Sequence, residues 1–181
     1  MSNTLASPED LAYLPGAPFS ETEVDAACAA VRTAASWHIA PQVTETISLD
    51  VTPCDRWLRL PTGHLVGVTA VRDADTGEAV DTATYRVSRK LGQVKRSTPW
   101  PSGYERVEVD MIHGYAETPT DLPAIIAQAI AMARRDPTVQ ATGVDDFSVT
   151  YFSSAAGRAA VTALLGDYAL DDAALYGIGI A

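Results

Sequence analysis

The stretch from Val107 to Arg135, VEVDMIHGYAETPTDLPAIIAQAIAMARR, constrains this chain most, because it sets a strand, a tight turn, a capped helix start and an apolar helix end to end. Val107, Val109 and Met111 alternate with Glu108 and Asp110, the period of a half-buried strand, and His113-Gly114-Tyr115 ends it where glycine can take angles other residues resist. Thr120 or Asp121 is placed to cap the next helix, with Pro123 in its first turn, where the missing N–H costs nothing. From Ala124 to Ala133 only Gln128 is polar. A helix of that kind is buried on most sides, in a large core or between subunits, which makes Ile126 and Ile130 candidate subunit contacts.

A chain of 181 residues with 47% apolar content can bury the core of one domain. Met1-Ser2-Asn3-Thr4 has neither the basic start nor the apolar block of a secretory signal, and no run reaches the length of a membrane span. The expectation is a soluble protein, made and used in a cytoplasm, with no membrane partner. Cys28 falls on a helical apolar stripe and Cys54 in a turn-like segment, so both are read as reduced thiols.

The net charge of −10 argues against a protein that grips phosphate backbones. The distribution is more telling. Glu9, Asp10, Glu21, Glu23 and Asp25 precede the first basic residue, and no base follows Arg158. Between Asp81 and Glu105 the sign reverses: Arg86, Arg89, Lys90, Lys95 and Arg96 follow one another with no acid among them. This segment reads either as a solvated hairpin tip or as a docking surface for an acidic part of a neighbouring copy.

Periodicity orders the rest. Ser20-Glu21-Thr22-Glu23 is a capping box, followed by Val24, Ala27, Cys28, Val31, Ala35, His38 and Ile39 at helical spacing up to Pro41. Ala26, Ala30, Thr33 and Trp37 give this helix a second packing surface, so Trp37 is a candidate contact with another element or subunit. Strands are predicted at 43–51, 57–60, 65–71, 85–87, 93–95 and 105–112, separated by turns at Pro61-Thr62-Gly63, Asp75-Thr76-Gly77, Gly92 and Pro101-Ser102-Gly103. A short strand at 146–151 and a helix at 155–165 precede a tail. The fold class is α+β: a helical core of three to four helices with an inserted small antiparallel β module and a C-terminal extension. Within a single domain the parts are N-terminal helices at 1–42, the β module at 43–115, a helical region with a short strand at 116–170 and an arm at 171–181.

Catalytic chemistry finds little footing. His38 lies on an apolar stripe, His64 in a Thr-Gly-His turn, and His113 ends a strand with no Ser or Cys in a nucleophile-elbow setting beside it. Cys54 beside Asp55 could pair with a histidine as a thiol nucleophile, but a turn role fits it better. No Cys-x-x-Cys pair, no His-x-x-x-His and no lysine-bearing phosphate loop is present, so no cofactor and no metal is expected.

The sheet module ending in a Gly-Tyr turn, the Pro119-to-Leu122 helix start, Gly143-Val144-Asp145-Asp146-Phe147-Ser148-Val149-Thr150-Tyr151 and the closing Leu164-Leu165-Gly166-Asp167-Tyr168 together resemble the head-to-tail connector (adaptor) proteins of long-tailed bacteriophages. The resemblance spans about residues 20 to 170. It implies a structural part and no enzyme: a homo-oligomeric ring, a dodecamer, bound to the portal protein of the DNA-filled capsid. The ring would meet head-completion or tail proteins and continue a channel through which duplex DNA passes without specific binding. It also implies that the tail grips the portal, with Leu170, Leu175, Tyr176, Ile178 and Ile180 as contacts. The location would be the virion neck, assembled in the host cytoplasm. A head-completion stopper or a tail terminator is the alternative ring protein, and a small cytoplasmic enzyme the alternative outside that class.

Overall fold

The computed structural model describes residues 5–135 and 155–170, and they divide into two compact units. One is built from Leu5 to Pro41 with Tyr115 to Ala169; the other is Gln42–Gly114. The fold is α+β, and the expected strand at 146–151 and arm at 171–181 lie outside the described residues.

In the first unit, α1 (Glu21–Ala35), α2 (Leu122–Arg135) and α3 (Ala155–Leu165) pack against one another. The capping box forms as written: the Ser20 hydroxyl accepts from the Glu23 N–H, and the Glu23 carboxylate accepts from the Ser20 N–H at 2.9 Å. Helix α1 does not run on to Pro41. Ser36 takes a left-handed conformation (φ 61°), and its N–H closes onto the carbonyls of Arg32 and Thr33. The helix therefore stops before Trp37, His38 and Ile39, which follow in irregular backbone and are not part of its stripe. Val24, Ala27, Cys28, Val31 and Ala35 bury one face of α1, and Leu122, Ile126, Ala127, Ala129, Ile130 and Ala133 bury one face of α2. Helix α2 is thus one-sided and not enclosed all round: Gln128 is exposed and Met132 is 37% exposed.

Arg134 ties the N-terminal loop to this core. Its guanidinium donates to both Glu23 oxygens at 2.8 Å, to the Gly16 carbonyl at 2.6 Å and to the Pro18 carbonyl at 2.9 Å, and it lies 5.0 Å from the Phe19 ring centre. One charged group so satisfies two loop carbonyls and the capping-box acid.

The second unit contains two three-stranded antiparallel sheets where the sequence suggested a single module. The first has the order β1 (Val43–Val51), β6 (Gly103–His113), β3 (Leu65–Asp73); the second has β2 (Trp57–Arg59), β5 (Gln93–Arg96), β4 (Tyr85–Ser88). Strand β6 is the central one and turns Val107, Val109, Met111 and His113 inward, all buried. Val107, Val109 and Met111 pack with Val51, Leu58, Leu65, Val71, Tyr85, Val94 and Trp100 in one core. The hairpin joining β4 to β5 turns at Gly92, whose φ is +57°; a Cβ there would sit 3.0 Å from the Thr62 carbonyl, so the turn needs glycine.

The Arg134 contacts generate a test. Arg134→Ala should lower unfolding free energy by about 2 kcal/mol, since hydrogen bonds to charged groups are lost together, read as an earlier denaturant midpoint. Arg134 depresses the Glu23 carboxyl below its ordinary value. A depressed acid stabilises the fold above its unfolded pKa and loses that contribution as pH falls through the folded value. The difference between wild type and Arg134→Ala should therefore be full at neutral pH and shrink below about pH 4.3; a difference independent of pH would refute the pairing.

Candidate assembly surfaces

Trp37 sits at the end of the α1 turn-off, 7% exposed, and its indole N–H donates to the Tyr168 carbonyl at 2.7 Å. Its ring lies 6.1 Å from that of Tyr115, which lies 6.3 Å from that of Tyr168. The Tyr168 hydroxyl donates to Asp121 at 2.8 Å, and burial with that acidic neighbour pushes its pKa well up, so it stays a donor. Three aromatic rings from three separate stretches of the chain are thereby locked together. Trp37, Ile126 and Ile130 lie inside this unit, with their side chains against their own chain; Leu170 is half-buried, and Leu175, Tyr176, Ile178 and Ile180 lie outside the described residues.

The basic residues are arranged quite differently. Arg86 and Lys95 are cross-strand partners on β4 and β5, and Arg86, Arg89, Lys90 and Lys95 are exposed. Lys95 rests 4.2 Å above the Trp57 ring and Arg96 lies 4.9 Å from the Trp100 ring centre, so two of the five cations are held over aromatics of their own unit. Arg89 and Lys90 lie in the hairpin turn beside Leu91, which is 62% exposed, while Arg86 lies within β4 and donates to the Tyr85 carbonyl at 3.3 Å.

A groove of about 800 Å³ opens where β1 and β2 face each other, with Leu49, Leu58 and Pro61 in its floor and Asp50, Asp55 and Glu105 among its walls. Asp50 accepts the Glu105 N–H at 2.6 Å, and Asp55 accepts from the Thr52 hydroxyl and the Trp57 N–H. No motif announced this groove in the sequence, because Glu105 comes from a strand far along the chain from Asp50 and Asp55.

The residues weighed for catalysis are not brought together. The His113 Nε2 meets Glu45 at 3.0 Å and its Nδ1 meets the Thr62 hydroxyl at 3.3 Å, with the ring 1% exposed. His113 pairs with Val43 at one end of β1, while Cys54 follows the other end, about 25 Å away along the strand. His38 meets the Pro41 carbonyl and His64 the Gly114 carbonyl. Among the described residues no group of three or more His, Cys, Asp or Glu is placed to hold a metal ion, and no helix is long and apolar enough to cross a membrane.

This architecture has counterparts among solved structures. A chain of the structure described as the virion of native gene transfer agent (GTA) particle superposes with a TM-score of 0.55 at 18% identity, over 90% of this chain and 86% of that one. A chain of the neck of native GTA particle computed with C12 symmetry superposes with a TM-score of 0.52 at 18% identity, over 84% of this chain and 94% of that one. At that identity the likeness establishes a shared fold, and it extends over nearly the full length of both chains. No model of a protein family matches the sequence, and no curated protein matches it.

The aromatic lock gives a second test. Trp37→Ala should cost about 3 kcal/mol of stability, whereas Trp37→Phe, which keeps the packing and loses the bond to Tyr168, should cost about 1 kcal/mol. Equal denaturant midpoints for all three proteins would contradict the packing.

Proposed function

We propose that this chain is a structural component of a phage-type neck, the adaptor ring that joins the portal protein of a filled capsid to the tail and continues the DNA channel. The observation that carries the reading is the fold shared with a chain of a GTA neck, over 84% of this chain and 94% of that one. Twelve-fold symmetry is a property of that neck reconstruction, and it supports a homo-oligomeric dodecamer here. Net charge of −10 fits the role, since an anionic conduit repels phosphate and lets duplex DNA slide without being held. The helical unit favours the adaptor over a stopper or tail terminator, which are more sheet-dominated rings. A small enzyme is the weaker reading, because His113 is buried and lies a strand's length from Cys54.

In this reading the C-terminal segment is the portal-gripping arm, with Leu170, Leu175, Tyr176, Ile178 and Ile180 as its contacts. Each such apolar side chain gains roughly 1.5 to 3 kcal/mol on full burial. Particles assembled with the wild-type protein should show a density ring for this chain between portal and tail in electron micrographs. Deleting residues 173–181 should leave a folded protein that no longer co-purifies with portal or completes infectious particles; full recovery of particles by the truncated protein would remove the arm. A particle whose neck lacks the chain altogether would remove the adaptor reading.

A further inference from the structure

The β module carries two unlike surfaces. Sheet order puts β2 and β4 at opposite edges of the second sheet, with β5 between them. Residues of β2 line the groove, and the β4–β5 hairpin turns beyond the end of β2, where the Gly92 carbonyl accepts the Leu60 N–H at 2.8 Å. Strand β1 forms the other wall of the groove. Among the described residues it pairs only with β6, leaving the opposite backbone edge of a nine-residue strand without a ladder partner. A strand edge of that length with no proline or lysine is a ready template for another chain.

The chemistry of the two surfaces is complementary. Asp50, Asp55 and Glu105 outnumber Arg59 in the groove walls, over a floor containing Leu49 and Leu58. The Asp50 and Asp55 carboxylates have acceptor sites beyond the bonds they make locally. The hairpin turn offers Arg89 and Lys90 beside the exposed side chain of Leu91, with Arg86 exposed on β4. An apolar side chain flanked by cations matches a groove whose lining combines apolar residues with an excess of anions.

We propose that copies of this chain join head to tail through the β module, the β4–β5 hairpin of one copy seated in the β1–β2 groove of the next. This rests on the ring reading above and assigns it surfaces. Because the two patches differ, a pair joined by one contact still presents a free groove on one copy and a free hairpin on the other. Such heterologous contacts generate rings where the rotation closes. The acidic partner of the basic segment is therefore the groove of the adjacent copy.

Charge exchange in the full-length protein tests this. One variant carries Arg89→Glu with Lys90→Glu; the other carries Asp50→Asn with Glu105→Lys, in which asparagine keeps the acceptor for the residue 105 N–H. Thermal melts establish that each is folded. Sedimentation at about 0.1 M salt, where surface charges are felt within about 10 Å, should show self-association weakened at least roughly tenfold in each variant alone. An equimolar mixture should regain wild-type association, because the reversed hairpin then meets the reversed groove. Leu91→Ser, which alters no charge, should weaken association at low and high salt alike. Variants that associate like wild type, or a mixture that fails to recover, overturn the pairing while leaving the ring reading intact. Wild-type protein that stays monomeric even when concentrated overturns the pairing, and a particle neck without density for this chain removes the ring reading as well.

Discussion

Everything in the second unit depends on β6 being paired along both edges. Its register with β1 runs from Val107 opposite Leu49 to His113 opposite Val43, and with β3 from Val107 opposite Asp73 to His113 opposite Leu65. A strand so held cannot slip by one residue without turning Val107, Val109 and Met111 out to solvent and Glu108 and Asp110 into the core. The outward acids are used to reinforce that register: Asp110 accepts from Thr46 on β1 and from Arg72 on β3, and both bonds, the Thr46 one first, hold its carboxyl below the ordinary range. Apolar alternation on one face and a cross-strand polar bridge on the other thus specify the same alignment.

Such agreement between levels is why β6 is legible in the amino-acid order alone. The capping box of α1 and the span of α3 are legible for a similar reason, since each is a local signal that no distant contact has to complete. The end of α1 is not. Serine in a left-handed conformation is no stronger a stop than the Pro41 that follows, and the helical spacing of His38 and Ile39 continues the pattern past the true cap. The division of the strands into two sheets is also hidden, because short strands such as Trp57–Arg59 and Tyr85–Ser88 carry the same alternation whichever sheet they join.

Long-range polar contacts escape sequence reasoning altogether. Arg134 reads as an ordinary basic residue closing a helix, favourable there for the helix dipole. Its larger role comes from Gly16, Pro18 and Glu23, more than a hundred residues earlier, which a periodicity argument cannot reach. Trp37 is parallel: its place on a helical face suggests a surface contact, whereas the cap at Ser36 redirects it onto Tyr115 and Tyr168. The apolar helix α2 looks unusually demanding of partners when its alanines are counted as greasy surface. In the folded unit those small side chains let α1 and α3 approach, and the demand is largely met within the chain.

The charge distribution then bears on how copies could meet. With 23 acids against 13 bases, two copies approaching at random repel, and the repulsion extends over about a Debye length, roughly 8 Å at physiological salt. The hairpin is where the sign is reversed over a run of residues, and two of its cations are already engaged with Trp57 and Trp100. Attraction is therefore confined to the tip, and it favours one orientation over the many that net charge disfavours. Exposed ion pairs contribute little affinity individually, about 0 to 1 kcal/mol each, so electrostatics alone sets orientation more than strength. Strength has to come from apolar contact, which is the part Leu91 and the Leu49–Leu58 floor can supply. An interface divided in this way forms readily in one register yet holds weakly as an isolated pair, so its stability grows with the closure of many identical contacts.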